Sequence, residues 1–213
     1  MCNSVFGETA LAVLREEMRG EISPYRFAHT AGVEQMAARL ARLYCPEREG
    51  ELRAAALLHD ITKELDRATQ LAIFEENGVT LRPDELASPK VWHGMTAALE
   101  IPKRYPALAT PDLISAVRWH TTGRAGMTLA EAILYLADYI EDGRTFPDCV
   151  ALRDMFFAAA PERMEGRARL CHLAAVIRHS LEMTVSELCD AGAPVCLDTD
   201  AALHYFNENK NPF

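Results

Sequence analysis

Residues 54–61 read AAALLHDI, an apolar run that closes on an adjacent His59-Asp60 pair. Such a run reads as a buried helix, where a charged carboxylate is costly unless it is paired or binds a metal. The same anomaly recurs along the chain. Asp138 lies inside ILYLADYIE (133–141), His120 ends AVRWH (116–120), His93 follows Val91-Trp92, and His29 stands near the start of YRFAHTAGVEQMAARLARLY (25–44). Taken singly, a histidine beside a tryptophan reads as a satisfied core or rim residue, and His-Asp is a dipeptide that arises by chance. Asp138 is harder to explain that way, because its flanks are apolar on both sides. Imidazoles and carboxylates set repeatedly against apolar helical sequence point to a buried metal site.

Outward from these residues the chain is all helix. Strand patterns are almost absent, and helix starts are marked by hydroxyl-proline pairs at Ser23-Pro24, Ser88-Pro89 and Thr110-Pro111. Thr128 and Glu131 form a capping box ahead of an apolar run. The pattern predicts helices over 7–20, 24–44, 50–63, 66–77, 89–100, 111–120, 129–141, 148–159 and 162–190, with a short one near 198–207. Loops fall at 45–50, 77–83, 121–126 and 142–147. Residues 1–190 read as one domain and 191–213 as an extension ending in a mobile polar tail, NENKNPF.

The 213 residues are 49% hydrophobic and carry a net charge of -9, enough for a sizeable core and unsuited to broad attraction toward nucleic acid or an anionic membrane. The N-terminus turns charged too early for a signal peptide, and no apolar run could span a bilayer. Six scattered cysteines without a C-x-x-C motif read as reduced thiols, so a cytoplasmic location is expected.

Each candidate ligand, apart from the adjacent pair, lies in a different predicted helix, and a bundle can project such side chains to one point. Mixed nitrogen and oxygen donors suit iron, manganese or zinc better than calcium, and the lack of cysteine ligands argues against a structural zinc. Four histidines and two carboxylates exceed the needs of one metal. Two metals bridged by Asp60 would use them all, and a metal pair suits in-line displacement at phosphorus. Cations flank the ligands. Arg26 lies three residues before His29 and Lys63 three after Asp60, on matching helical faces. The loop HTTGRAG (120–126) offers glycines and Arg124 to an anion, and Glu141-Asp142-Gly143-Arg144 leads from Asp138 toward Phe146. Arginine and aromatic side chains beside a metal pocket suit a nucleotide. His172 and His179 share a face of an Arg-bearing amphipathic helix and are expected near solvent.

In YRFAHTAGVEQMA (25–37), AALLHDITKE (55–64), VWHGMTAA (91–98) and the long segment from Trp119 through LADYIEDGR to Arg153, the sequence resembles the HD-domain phosphohydrolase superfamily, most closely the YqeK family of symmetrical diadenosine tetraphosphatases. The H…HD…D pattern marks only the superfamily; HTTGRAGM and LADYIEDGR are the more specific segments. The resemblance implies an all-α HD-domain helical bundle with a buried metal centre. It implies His29, His59, Asp60 and Asp138 as core ligands, with His93 and His120 completing a second metal. Iron is the expected metal, with manganese and zinc as alternatives. Arg26, Lys63, Thr122, Gly123, Arg124, Tyr139, Arg144 and Phe146 match pocket positions. Residues 1–20 and those after about 190 carry no pattern of the family. Some relatives carry a fused nicotinate-nucleotide adenylyltransferase domain, absent here, so the chain is expected to act alone or through a partner, with a homodimer as the candidate assembly.

The reaction so implied is hydrolysis of diadenosine tetraphosphate to two ADP by a metal-activated bridging hydroxide, with Asp60 at the metals and Lys63 and Arg124 offsetting charge on the phosphoryl oxygens. Tyr139 and Phe146 would touch the nucleotide. Two other readings compete: a phosphohydrolase of mononucleotides, including nucleoside di- and triphosphates, separable by substrate panel and product analysis, and a nucleotide-sensing or ribosome-assembly module without turnover. The intact ligand set disfavours the last.

Overall fold

The computed structural model describes residues 5–209 and 213, and among them every regular element is a helix. Cys2 lies outside the described residues, and the five other cysteines form no disulfide. The helices are α1 (Glu8–Glu21), α2 (Pro24–Tyr44), α3 (Glu49–Leu58), α4 (Arg67–Glu76), α5 (Pro83–Ala87), α6 (Trp92–Arg104), α7 (Pro111–Trp119), α8 (Leu129–Ile140), α9 (Pro147–Ala158), α10 (Gly166–Asp190) and α11 (Leu197–Glu208), with 3-10 turns at Pro46–Arg48, Pro89–Val91 and Pro161–Arg163.

The core forms around α8, whose residues 130–137 are all buried. Helices α2, α3 and α7 pack about it, with Met36, Leu40, Leu57, Leu58, Val117, Ile133 and Leu136 in one apolar cluster. Each such side chain contributes about 1.5–3 kcal/mol when fully buried. The predicted caps at the starts of these helices form. Ser23 Oγ accepts from Arg26 N and Thr110 Oγ1 from Leu113 N, while Thr128 and Glu131 complete their reciprocal box. Ser88 does not cap: its hydroxyl is buried without a partner, and Pro89 opens a 3-10 turn that hands over to α6 at Trp92. Helix α6 then runs past residue 100 through Pro102, and α5 occupies a segment where no helix was expected.

Helices α3 and α7 both end at a candidate ligand histidine, and in the same way. The helix expected over 50–63 stops at Leu58, because His59 Nδ1 takes the Ala56 carbonyl at 2.6 Å, the acceptor that Asp60 N would need. The chain continues as i→i−3 turns from Ile61 N to Leu58 O and from Lys63 N to Asp60 O. At the end of α7, His120 Nδ1 takes the Val117 carbonyl at 2.7 Å in the same way. A side chain thus satisfies one of the orphaned carbonyls of each last turn.

Beyond residue 190, α11 packs on α10 and buries Ala202 and Phe206 in the common core. Arg82 pairs with Asp198 at 2.6 Å, and Leu197 N donates to Asp84. Of the tail expected to be mobile, Lys210–Pro212 lie outside the described residues, whereas the Phe213 ring stands 5.8 Å from that of Phe206. His179 is exposed as expected. His172 is not: it is half-buried, its Nε2 donates to Phe156 O at 3.0 Å, and its ring lies 5.3 Å from that of Phe156.

Candidate active site

The turns and helix ends just described deliver six side chains to one place. His29 comes from the second turn of α2, His59 and Asp60 from the end of α3, His93 from the start of α6, His120 from the end of α7 and Asp138 from α8. Thr62 Oγ1 donates to His93 O at 2.8 Å and fastens α6 to the turn that carries Asp60.

Asp60 sits at the centre with its two oxygens facing different histidines. Oδ2 lies 3.5 Å from His59 Nε2 and 3.9 Å from His29 Nε2. Oδ1 lies 3.3 Å from His93 Nε2 and 3.8 Å from His120 Nε2. Asp138 Oδ1 stands 2.9 Å from His29 Nε2 and 3.8 Å from His59 Nε2. The helix-ending bonds of His59 and His120 also fix their tautomers. Each ring spends its Nδ1–H on a backbone carbonyl, so Nε2 turns a lone pair inward.

Electrostatics agrees with this arrangement. Burial pushes His59 down to about 4 and lowers His93 and His120, so the three rings are neutral donors at neutral pH. Burial alone would raise both aspartates. Both nevertheless lie below the usual carboxylate range and stay ionised, Asp60 with the Arg26 guanidinium at 2.6 Å and Asp138 beside Arg144 and His29. His29 differs: burial opposes its charge, but Asp138 and Glu141 more than compensate and bring it up to about 9.

His29 Nε2, His59 Nε2 and Asp60 Oδ1 are buried without a hydrogen-bond partner, although His29 Nε2 is close to Asp138. An unpaired buried polar atom typically costs about 1–3 kcal/mol. Two groups, His29/His59/Asp138 and His59/Asp60/His120, each hold donor atoms within 4.8 Å of one another. Neutral imidazoles at His59, His93 and His120 and the ionised carboxylates fit a divalent metal, and His29 would release its proton on ligation.

A cavity of about 380 Å³ opens over the His29–Asp60–Asp138 side of the cluster. Arg26, Lys63, Arg144 and Phe146 line it, as the sequence led one to expect. Arg26 Nη1 pairs with Asp60 Oδ2 and Arg144 Nη2 with Asp138 Oδ1, both at 2.6 Å. Burial lowers the Lys63 ammonium, whose Nζ lies 3.1–3.2 Å from the two ring nitrogens of His93.

The other expected pocket residues are elsewhere. Arg124 Nε bonds the buried Glu131 carboxylate at the start of α8 and Nη1 donates to Ala125 O, so the guanidinium turns away from the cavity. Thr122 is buried and donates to Gly123 O. Gly123 has φ +64, and a Cβ there would meet Met127, Ala202 and Leu181, so the glycine serves the turn and close packing. Tyr139 is half-buried beside Thr184 and is not part of the lining.

Three neighbours escaped sequence reasoning. Thr121 Oγ1 lies 3.1 Å from both His93 Nε2 and His120 Nε2. Glu141 Oε1 lies 3.2 Å from His29 Nδ1. Tyr25 lines the cavity at 77% exposure, as does Phe146 at 63%. Adjacency to His120 and Arg26 was the only available signal for Thr121 and Tyr25; for Glu141 it was the i+3 spacing from Asp138.

Among the described residues no helix is long and apolar enough to cross a membrane. A family model of the HD domain matches residues 26–143, which contain all six converging side chains. Curated proteins named symmetrical bis(5'-nucleosyl)-tetraphosphatase are similar to this chain. That of Bacillus subtilis (strain 168) is 32% identical over 70% of this chain and 76% of its own length. That of Halalkalibacterium halodurans is 31% identical over 64% and 71%. A crystal structure from Clostridium acetobutylicum, described as a predicted HD superfamily hydrolase involved in NAD metabolism, superposes with a TM-score of 0.77 at 28% identity, covering 92% of this chain and 96% of that one. With its helical order, its His-Asp pair and these matches over most of its length, the chain belongs to the HD-domain family of hydrolases, in the branch whose curated members carry the symmetrical tetraphosphatase name.

Proposed function

We propose that this protein hydrolyses diadenosine tetraphosphate symmetrically to two ADP, at a centre holding two metals. The observation that carries the reading is Asp60, whose oxygens face separate histidine pairs, as a bridging carboxylate requires. The names of the curated relatives support the substrate and the point of cleavage. His29, His59, Asp60 and Asp138 would hold one metal, and Asp60, His93 and His120 the other. Iron is the reading's metal, with manganese and zinc compatible with the same donors. Bound there, such metals supply a water ionised at neutral pH and Lewis-acid stabilisation of phosphoryl oxygens.

The chain's own residues do the rest. Lys63 presents an ammonium at the rim of the cluster, where charge builds on the phosphoryl oxygens. Arg26 keeps its buried Nε–H without a partner, and this free donor suits a phosphate oxygen. Arg144 lines the same cavity while it holds Asp138 through Nε and Nη2. Tyr25 and Phe146 offer exposed rings at the mouth for a base. Arg124, committed to Glu131, is assigned to structure. A cytoplasmic location belongs to this reading, on the scattered cysteines without a C-x-x-C motif in the sequence.

Two measurements test the reading. Hydrolysis of diadenosine tetraphosphate in isotopically labelled water, resolved by chromatography, is expected to give ADP as the sole initial product; equal AMP and ATP would overturn symmetrical cleavage. Elemental analysis of protein loaded anaerobically is expected to approach two transition metals per chain. A firm value of one, with His93 and His120 unliganded in a crystal structure, would exclude the dinuclear centre and favour a mononucleotide phosphohydrolase.

A further inference from the structure

We propose that Glu141 is the positioning residue of His29, and that the glycine in the middle of α2 exists to admit its carboxylate. The inference rests on the metal-site reading above. Glu141 follows the last residue of α8, and its side chain is buried at 4% exposure. Its Oε1 lies 3.2 Å from His29 Nδ1, and its Oε2 accepts from Gly143 N at 2.6 Å. His29 is the one imidazole of the four at the cluster whose second nitrogen meets a carboxylate. His59 and His120 use carbonyls of their own helices for that purpose, and His93 faces Lys63. A histidine in the second turn of a helix has no orphaned carbonyl within reach, so its orientation needs an external acceptor.

Room for that acceptor is provided on two sides. A Cβ on Gly32 would lie 2.2 Å from Glu141 Oε2, and one on Gly143 would lie 2.9 Å from the same atom. Glycine inside a helix is disfavoured relative to alanine, so Gly32 is a local cost that the carboxylate explains. The turn is clasped from outside as well, since Arg153 donates to the carbonyls of Glu141 and Arg144. With Arg144 on Asp138, this one turn orients ligands from both α2 and α8.

The test is titration of metal-free protein with Co²⁺, followed by calorimetry and by visible absorption, beside thermal unfolding of the metal-free forms. Glu141→Ala is expected to weaken Co²⁺ binding about 10–100-fold, as loss of an outer carboxylate does, and to change the cobalt absorption envelope. Glu141→Gln keeps an oxygen for His29 Nδ1–H and is expected to fall between Ala and wild type. Gly32→Ala touches no ligand and improves helix propensity, yet is expected to weaken Co²⁺ binding in the direction of Glu141→Ala. Co²⁺ affinity within about twofold of wild type in Glu141→Ala would overturn the proposal, as would Glu141→Gln binding no better than Ala. If Glu141→Ala does not fold, Gly32→Ala and Glu141→Gln decide: wild-type affinity and spectrum in Gly32→Ala overturn it. Failure of wild-type protein itself to bind Co²⁺ would refute the metal-site reading and, with it, this role.

Discussion

Asp60→Asn is expected to lose its metals and its turnover together, while the metal-free protein stays folded. The substitution keeps the shape of the side chain and removes its charge. That charge is central here: one oxygen faces His29 and His59, the other His93 and His120, and Oδ1 is buried with no hydrogen-bond partner. A neutral amide presents an NH₂ to one of these pairs and can coordinate on only one side. The loss should exceed the roughly 10–100-fold effect of an outer-layer substitution, taking activity to background and metal content below one per chain. Circular dichroism and thermal unfolding of the metal-free forms check that the fold survives. His179→Ala is the control, because that ring is exposed and remote from the cluster. His172→Ala is not a suitable control, since it removes the bond to Phe156 O. Near-normal activity in Asp60→Asn would make the His-Asp pair structural and end the two-metal reading.

The helical class and the six converging residues were legible because each rule involved is local. Apolar runs with period-breaking histidines and aspartates expose buried polar groups, and hydroxyl-proline and Thr-x-x-Glu signals expose helix starts. What local rules misread was the ends. Residues 59–63 have the composition of a continuing helix, and only the three-dimensional choice of His59 Nδ1 for the Ala56 carbonyl terminates it. Lys63 therefore reaches the site from a turn and not from a helical face. Arg26 and Arg144 were found by sequence proximity to ligands, although Arg26, one turn before His29, pairs with Asp60 from another segment, and Arg144 reaches back six residues to Asp138. The same proximity does not bring Arg124 into the cavity lining. It is four residues from His120, but Gly123 at φ +64 reverses the chain between them. Its guanidinium then meets Glu131, which sequence reasoning had treated only as a cap.

That pairing leads to the second large effect. Glu131→Ala is expected to destabilise the protein by about 3–5 kcal/mol, the usual consequence of removing one partner of a buried charged network. Glu131 is fully buried and acts four ways: Oε2 accepts from Thr128 N at 2.8 Å, and the carboxylate also takes Ser115 Oγ and Arg124 Nε, while its own N–H donates to Thr128 Oγ1. Removing it breaks the carboxylate half of the capping box of α8, the helix that carries Asp138, and strands a hydroxyl and a guanidinium. In a chain of this size each kcal/mol moves the unfolding midpoint by roughly 2–4 °C, so a fall on the order of 10 °C is expected by calorimetry. Arg124→Ala is expected to cost far less, about 1 kcal/mol, because that side chain is 31% exposed and Glu131 keeps its other donors. Its kcat and metal content should match wild type below the unfolding transition. A double-mutant cycle across the two positions should then show coupling, since the arginine has little left to hold once the glutamate is gone. If Arg124→Ala instead keeps its melting temperature and loses kcat with its metals in place, the guanidinium leaves Glu131 for the substrate during turnover, and its assignment to structure is wrong.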